Sequence, residues 1–205
     1  MLPRRFSRTC MAHAADQKRH LRLAMEERLQ HMNAQSRAAE SRSLCRRLLP
    51  VIPPGATVCA YVPLPTEPDI RPLLKELILR GDAVFLPCSE RGGLQFRRSE
   101  ELATLLPGPL GILEPPHDAE ELDPMQCTIA LVPGRAFDHR GNRLGRGNGG
   151  FDMWIHHQRK TNPKTRMIGI AFDCQNVHEV PTETHDERMD IIATPRGILN
   201  VESNK

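Results

Sequence analysis

Between positions 131 and 152 the chain reads Leu131-Val-Pro-Gly-Arg-Ala-Phe-Asp-His-Arg-Gly-Asn-Arg-Leu-Gly-Arg-Gly-Asn-Gly-Gly-Phe-Asp152. These residue types suit phosphate chemistry. Glycines at 145, 147, 149 and 150 carry no side chain, so a phosphate can approach the backbone closely and meet its N–H groups. Arg143 and Arg146 add full charges and planar donors matched to phosphate oxygens. The helix expected next would add the positive end of its dipole. Asp152, in the first turn of that helix, complements the dipole. Beside a polyphosphate the same carboxylate could hold Mg²⁺, directly or through water. The loop is not a Walker sequence, because no Gly-Lys-Ser/Thr ends it, and it is not GxGxxG after a first strand.

Other candidates lie far from it in sequence. Lys18 and Arg22 are four apart and so share one helix face, either as a solvated basic stripe or as phosphate contacts. Glu67 follows a short apolar run, at the strand end where open α/β sheets bind ligands. His185 and Asp186 are adjacent, but sequence neighbours rarely face each other as a catalytic dyad does; Asp186 reads better as a metal or water ligand.

The elements that must position these residues follow from periodicity. Leu21, Met25, Leu29 and Met32 recur at helical spacing, and a second helix is expected over 36–49, stopped by Pro50, Pro53, Pro54 and Gly55. A strand over 57–62, a helical face of Ile70, Leu73, Leu74, Leu77 and Ile78, and a strand over 83–86 make a βαβ unit, hence parallel strands and a right-handed crossover. Residues 94–97 suggest an edge strand, and 107–124 reads as surface loop. The continuous apolar run 128–132 predicts a strand covered on both faces. The glycine-rich loop comes next, then a helix over 149–160 and strands over 167–172 and 191–194. No internal repeat and no linker breaks the pattern, so the fold class is α/β: a single three-layer α/β/α sandwich around a mostly parallel sheet. The boundaries are a flexible N-terminal extension over 1–17, one domain over 18–200, and a tail over 201–205.

Composition limits the function classes. The 205 residues are 39% hydrophobic and 26% charged, with a formal net charge of +3, which is ordinary usage for one folded domain. No apolar run has bilayer-spanning length, which argues against a membrane protein. Basic residues are interleaved with acids and few aromatics accompany them, which argues against nucleic acid as a partner. Six scattered cysteines without metal-ligand spacing or a secretory signal read as reduced thiols of a cytoplasmic protein.

Several blocks now point one way. Val132-Pro-Gly-Arg-Ala-Phe-Asp138 and Gly141-Asn-Arg-Leu-Gly-Arg-Gly-Asn-Gly-Gly-Phe-Asp152 resemble the 5-formyltetrahydrofolate cyclo-ligase family, also called methenyltetrahydrofolate synthetases. Lys18-Arg-His-Leu-Arg22, Tyr61-Val-Pro-Leu-Pro-Thr-Glu67, Leu110-Gly-Ile-Leu-Glu-Pro115, Gly169-Ile-Ala-Phe-Asp-Cys-Gln175 and Pro181-Thr-Glu-Thr-His-Asp186 match as well, in family order over roughly residues 18–196.

The resemblance implies an enzyme that closes 5-formyltetrahydrofolate to 5,10-methenyltetrahydrofolate with ATP and Mg²⁺, releasing ADP and phosphate after phosphorylation of the formyl oxygen. It implies an ATP site built from Lys18, Arg22, Arg143, Leu144, Gly145, Arg146, Gly147, Asn148, Gly149, Gly150, Phe151 and Asp152. Arg146 and Asp152 are the expected catalytic groups, and Asp152 and Asp186 the expected metal ligands. Tyr61, Glu67 and Trp154 are expected at the reduced folate, although Tyr61 on a strand and Trp154 on a helix also suit the core. The expected assembly is a monomer or weak homodimer.

Asn148 stands where the family usually has Gly or Lys, Gly150 where it has an aromatic, Phe151 where Tyr is common, and Met153 where Arg is frequent. These departures keep a second reading open, a member that binds ATP or folate with little turnover. A sugar-phosphate isomerase or CoA-transferase relative is a third, against which the ordered blocks speak.

Overall fold

The computed structural model describes residues 8–90, 93–108, 111–183 and 186–202. In chain order the elements are α1 (Arg8–His31), α2 (Ala34–Leu48), β1 (Thr57–Cys59), α3 (Arg71–Leu79), β2 (Ala83–Glu90), β3 (Gly93–Arg98), β4 (Leu106–Pro107), β5 (Leu113–Glu114), β6 (Ile129–Pro133), β7 (Ala136–Phe137), β8 (Arg143–Leu144), α4 (Gly150–Thr161), β9 (Arg166–Ile170), β10 (Ile191–Ala193) and β11 (Ile198–Asn200). The central sheet runs β11-β10-β9-β6-β1-β2-β3. Its five inner strands are parallel; β3 and β11 close the two edges antiparallel.

Each face of the sheet has its own core. On one, Leu44 and Leu48 of α2 and Leu73, Leu74 and Leu77 of α3 pack on Val58, Val84, Leu86, Leu131 and Ile168. On the other, Ile155 of α4 packs with Phe85, Phe96, Ala130, Val132, Met167 and Ile192. The alternation along β2 and β6 sends successive side chains to opposite cores, and all five residues of β6 are buried. This is the expected α/β/α sandwich. Helix α1 lies outside both layers: Met25 meets Ala136, Leu144 and Val180, and thereby clamps the β7–β8 hairpin.

Three boundaries differ from the sequence reading. Helix α1 begins at Arg8, so residues 8–17 of the expected extension are its first turns; residues 1–7 lie outside the described residues. A short β4–β5 hairpin crosses the stretch read as loop. At the other end Val201 still donates to Asp190 O (2.9 Å), so the sheet holds the first residue of the expected tail. Among the described residues no helix is long and apolar enough to cross a membrane.

The strand order decides where a ligand can sit. From β1 the chain crosses by α3 to β2 on one side, whereas β6 lies on the other side of β1. The carboxyl ends of β1 and β6 therefore diverge at a topological switch point, where a crevice opens. Glu67 follows β1, and the glycine-rich loop follows β6.

Candidate active site

The loop after β6 is braced from below before it meets any ligand. β7 and β8 pair antiparallel, Ala136 with Leu144 and Phe137 with Arg143. Asp138, 1% exposed, accepts from the backbone N–H groups of Arg140, Asn142 and Val180 and from the Asn142 amide. The buried Arg143 donates to Pro133 O (2.8 Å) and to Asp152 Oδ1 (2.6 Å). It is thus a strut that ties β8, the end of β6 and the first turn of α4 together. Its side chain points down into the loop's own foundation, and only Nε is left unspent among the described residues.

The turn above is shaped by glycine. Gly147 has φ +106° and Gly149, the N-cap of α4, has φ +71°, both in the left-handed region that strains other residues. Arg22 from α1 donates Nε to Gly145 O (3.0 Å), and its guanidinium lies against Gly147. Asn148 folds its side chain back, Oδ1 accepting from Gly150 N–H at 3.4 Å.

A cleft of about 380 Å³ opens here, lined among others by Lys18, Arg22, Gly147, Asp152, Met153 and Asp186. Residues 165 positions apart thus meet on one wall, because α1 crosses over the loop after β6. Gly149, His156 and Glu183 also line it; Glu183 sits inside the block 181–186, where only Asp186 had been singled out. Inside the cleft Lys18 is 5% exposed and donates to Glu183 Oε2 (2.6 Å) and to both Asp186 oxygens (2.6 and 2.9 Å). Asp186 Oδ2 also accepts from Glu183 N–H (2.6 Å). In this arrangement Lys18, expected at phosphate, meets carboxylates, and both oxygens of Asp186, an expected metal ligand, accept from Lys18. No group of three or more His, Cys, Asp or Glu among the described residues could hold a metal. His185 lies outside the described residues.

On the other side of the loop stands the segment after β1. Glu67 has an 8% exposed side chain; Oε2 accepts from Leu64 N–H (3.0 Å), and Oε1 lies 3.5 Å from Arg146 Nε. Burial raises the Glu67 pKa, opposed by the Leu64 hydrogen bond and by Arg146 and Arg135. Arg146 and Arg135 both donate to Thr66 Oγ1, at 3.4 and 3.3 Å. The Glu67–Arg146 pair therefore joins the loops from β1 and β6 across the switch point. Sequence reading passed over Arg135 and Thr66, although both sit inside quoted blocks. Near Glu67, pockets run along the 62–65 segment. One of them, about 1110 Å³, is walled by the apolar side chains of Val62, Leu64, Leu74, Ile78, Leu102 and Leu113.

The two aromatic residues expected at the folate sit as follows. Tyr61 is 2% exposed and its hydroxyl donates to Pro68 O (2.9 Å), so it shapes the 61–68 turn from within. Trp154 is half-buried and packs tilted against Phe96, ring centroids 4.4 Å apart, and lines neither cleft. Phe151 likewise packs edge-on to Phe96 at 6.3 Å.

Fold and site together define an α/β/α-layered protein with a glycine- and arginine-rich loop at the switch point of its sheet. Residues 14–195 match the 5-formyltetrahydrofolate cyclo-ligase family, and the chain belongs to that family of ligases. The 5-formyltetrahydrofolate cyclo-ligase of Mycolicibacterium smegmatis is 33% identical over 192 residues, covering 89% of this chain and 96% of that protein. That of Escherichia coli K12 is 31% identical over 150 residues, covering 69% and 79%. The NMR structure of Aquifex aeolicus 5,10-methenyltetrahydrofolate synthetase superposes with a TM-score of 0.79 at 27% identity, covering 92% of this chain and 94% of that one.

Proposed function

We propose that this chain closes 5-formyltetrahydrofolate to 5,10-methenyltetrahydrofolate with ATP and Mg²⁺. The observation that carries the reading is the Glu67–Arg146 contact at 3.5 Å. It brings the loop suited to phosphates within reach of the carboxylate suited to a pterin, so two ligands bound there would meet at their reacting ends.

The formyl oxygen on N5 is a poor leaving group. It attacks the γ-phosphorus, the bond from phosphorus to the bridging oxygen breaks, and the electron pair leaves on ADP. N10 then attacks the activated carbon, and phosphate and the N10 proton depart, leaving the methenyl bridge. Most of the rate comes from alignment and from neutralising charge on the phosphoryl group. Arg146 and the N–H groups of residues 145–150 supply that neutralisation, and Glu67 orients the pterin through its polar atoms. Asp152 keeps one oxygen free of Arg143. A single hard carboxylate suits Mg²⁺ when phosphates complete its shell, so the residues present fit a nucleotide-borne ion and not an all-protein metal cage. Bound there, the ion would shield the phosphate charges.

The test is spectrophotometric: 5-formyltetrahydrofolate, ATP and Mg²⁺ together, following the near-ultraviolet band of the methenyl product. Product that requires all three is the expected result. Absence of product with intact ATP binding would overturn the reading.

A further inference from the structure

Arginines in this fold fall into two kinds. Arg37 spends its guanidinium on the backbone carbonyls of Leu29, Met32 and Pro65, and Arg143 on Pro133 O and Asp152. Both are struts. Arg135 differs. It stands two residues beyond the end of β6, on the switch point itself, and among the described residues its side chain hydrogen-bonds only to Thr66 Oγ1, at a long 3.3 Å. Arg146 reaches the same hydroxyl oxygen at 3.4 Å. Two cations thus converge on one neutral atom.

That arrangement is costly as it stands. Burial and the neighbouring Arg146 charge lower the Arg135 pKa, opposed by Glu26 and Glu67. Glu67 is 3.5 Å from Arg146 Nε and already accepts from Leu64 N–H. No ion pair joins Arg135 to any carboxylate among the described residues. Convergent guanidiniums held this way are preorganised for an anion with several oxygens. Tetrahedral phosphate offers one oxygen to each fork and keeps others for the glycine loop.

We infer that Arg135 is a second guanidinium of the reaction centre and, with Arg146, clamps the phosphate group between the glycine-rich loop and Glu67. The inference rests on the proposed ATP-dependent reaction for its role in turnover. There the clamped group is the phosphoryl in flight to the formyl oxygen, its bond to ADP breaking as the new one forms, and then the phosphate that leaves. The phosphate contact itself does not depend on that reading.

The experiment is a calorimetric titration of inorganic phosphate into the full chain saturated with ADP and Mg²⁺, repeated for Arg135→Ala, Arg135→Gln and Arg135→Lys. Loss of one charge-assisted donor pair predicts about tenfold or greater weakening for Ala and Gln. Lys should fall between, because it keeps the charge and loses the fork. In the methenyl assay kcat should fall roughly 100-fold in Arg135→Ala, as when an oxyanion donor is removed, with both KM values little changed. A purely structural Arg135 would instead lower the melting temperature and leave phosphate affinity alone, and Gln guards against an Ala variant that does not fold. Equal phosphate affinity in wild type and Arg135→Gln overturns the inference, as does a wild type that binds no phosphate. Phosphate binding lost with Arg135 in a protein that forms no methenyl product keeps the clamp and overturns only the cyclo-ligase reading.

Discussion

The two sides of the glycine-rich loop handle charge in opposite ways. On the α1 side two cations are already paired: Lys18 sits between Glu183 and Asp186, and Arg143 holds Asp152. On the β1 side Arg135 and Arg146 face one another across Thr66, with Glu67 close to Arg146 and the charges of Glu26 and Glu67 acting on Arg135. Paired charges in a half-dry site lock a geometry, because separating them leaves an ion stranded. Under-compensated cations await a counter-charge and are free to follow one that moves. In the proposed reaction the first side would be scaffolding for the nucleotide, and the second is where transferred charge would be received.

Substitutions on each side should break this contrast in distinct ways. The largest effect is expected from Arg146→Ala on the receiving side. We expect kcat/KM to drop about 100-fold, with the KM for ATP rising more than that for the folate and the melting temperature nearly unmoved. Steady-state kinetics in both substrates check it, and equal shifts in the two KM values would contradict the division. Lys18→Met on the scaffold side should do the reverse. It leaves Glu183 and Asp186 without their cation, at a cost of roughly 3 kcal/mol in denaturant unfolding. Adding Asp186→Asn to it should recover part of that loss.

Glu67→Gln sharpens the comparison through pH. Burial raises the Glu67 pKa in the folded chain, so the folded state favours the neutral carboxyl. Its contribution is full below the unfolded-state pKa and is lost as pH rises through the raised folded value. At pH above that folded value the wild type therefore carries a destabilising buried carboxylate. Glu67→Gln should melt higher there, and the gap should close as pH falls below the ordinary glutamate range. Folate KM should meanwhile rise about tenfold. The smallest effect is expected at Gly150, where an added Cβ meets nothing within 4 Å. Gly150→Tyr should change stability by less than about 0.5 kcal/mol. If the missing aromatic limits turnover, this variant should run faster than wild type; an unchanged rate returns Gly150 to a neutral replacement.

The contrast between the two sides also marks what could be read without a structure. Local patterns sufficed for the layers. The apolar run of β6, the helical face of α3 and the βαβ spacing each follow from short-range periodicity, and they set the class of fold. The glycine-rich loop, Lys18, Arg22, Glu67 and Asp152 were legible as chemistry for a related reason: residue type and spacing state what a side chain can do. Whom it faces is a different question. That Arg143 turns inward, that Lys18 is captured by Glu183 and Asp186 from 165 or more positions away, that Tyr61 belongs to the core and that Trp154 packs against it all depend on long-range packing. Helix α1 must cross the loop after β6, and β1 must sit beside β6, before those partners exist. A sequence states the charges one by one, but compensation is a property of pairs in space, and only the tertiary structure could separate Arg143, which braces the site, from Arg135 and Arg146, which converge on Thr66.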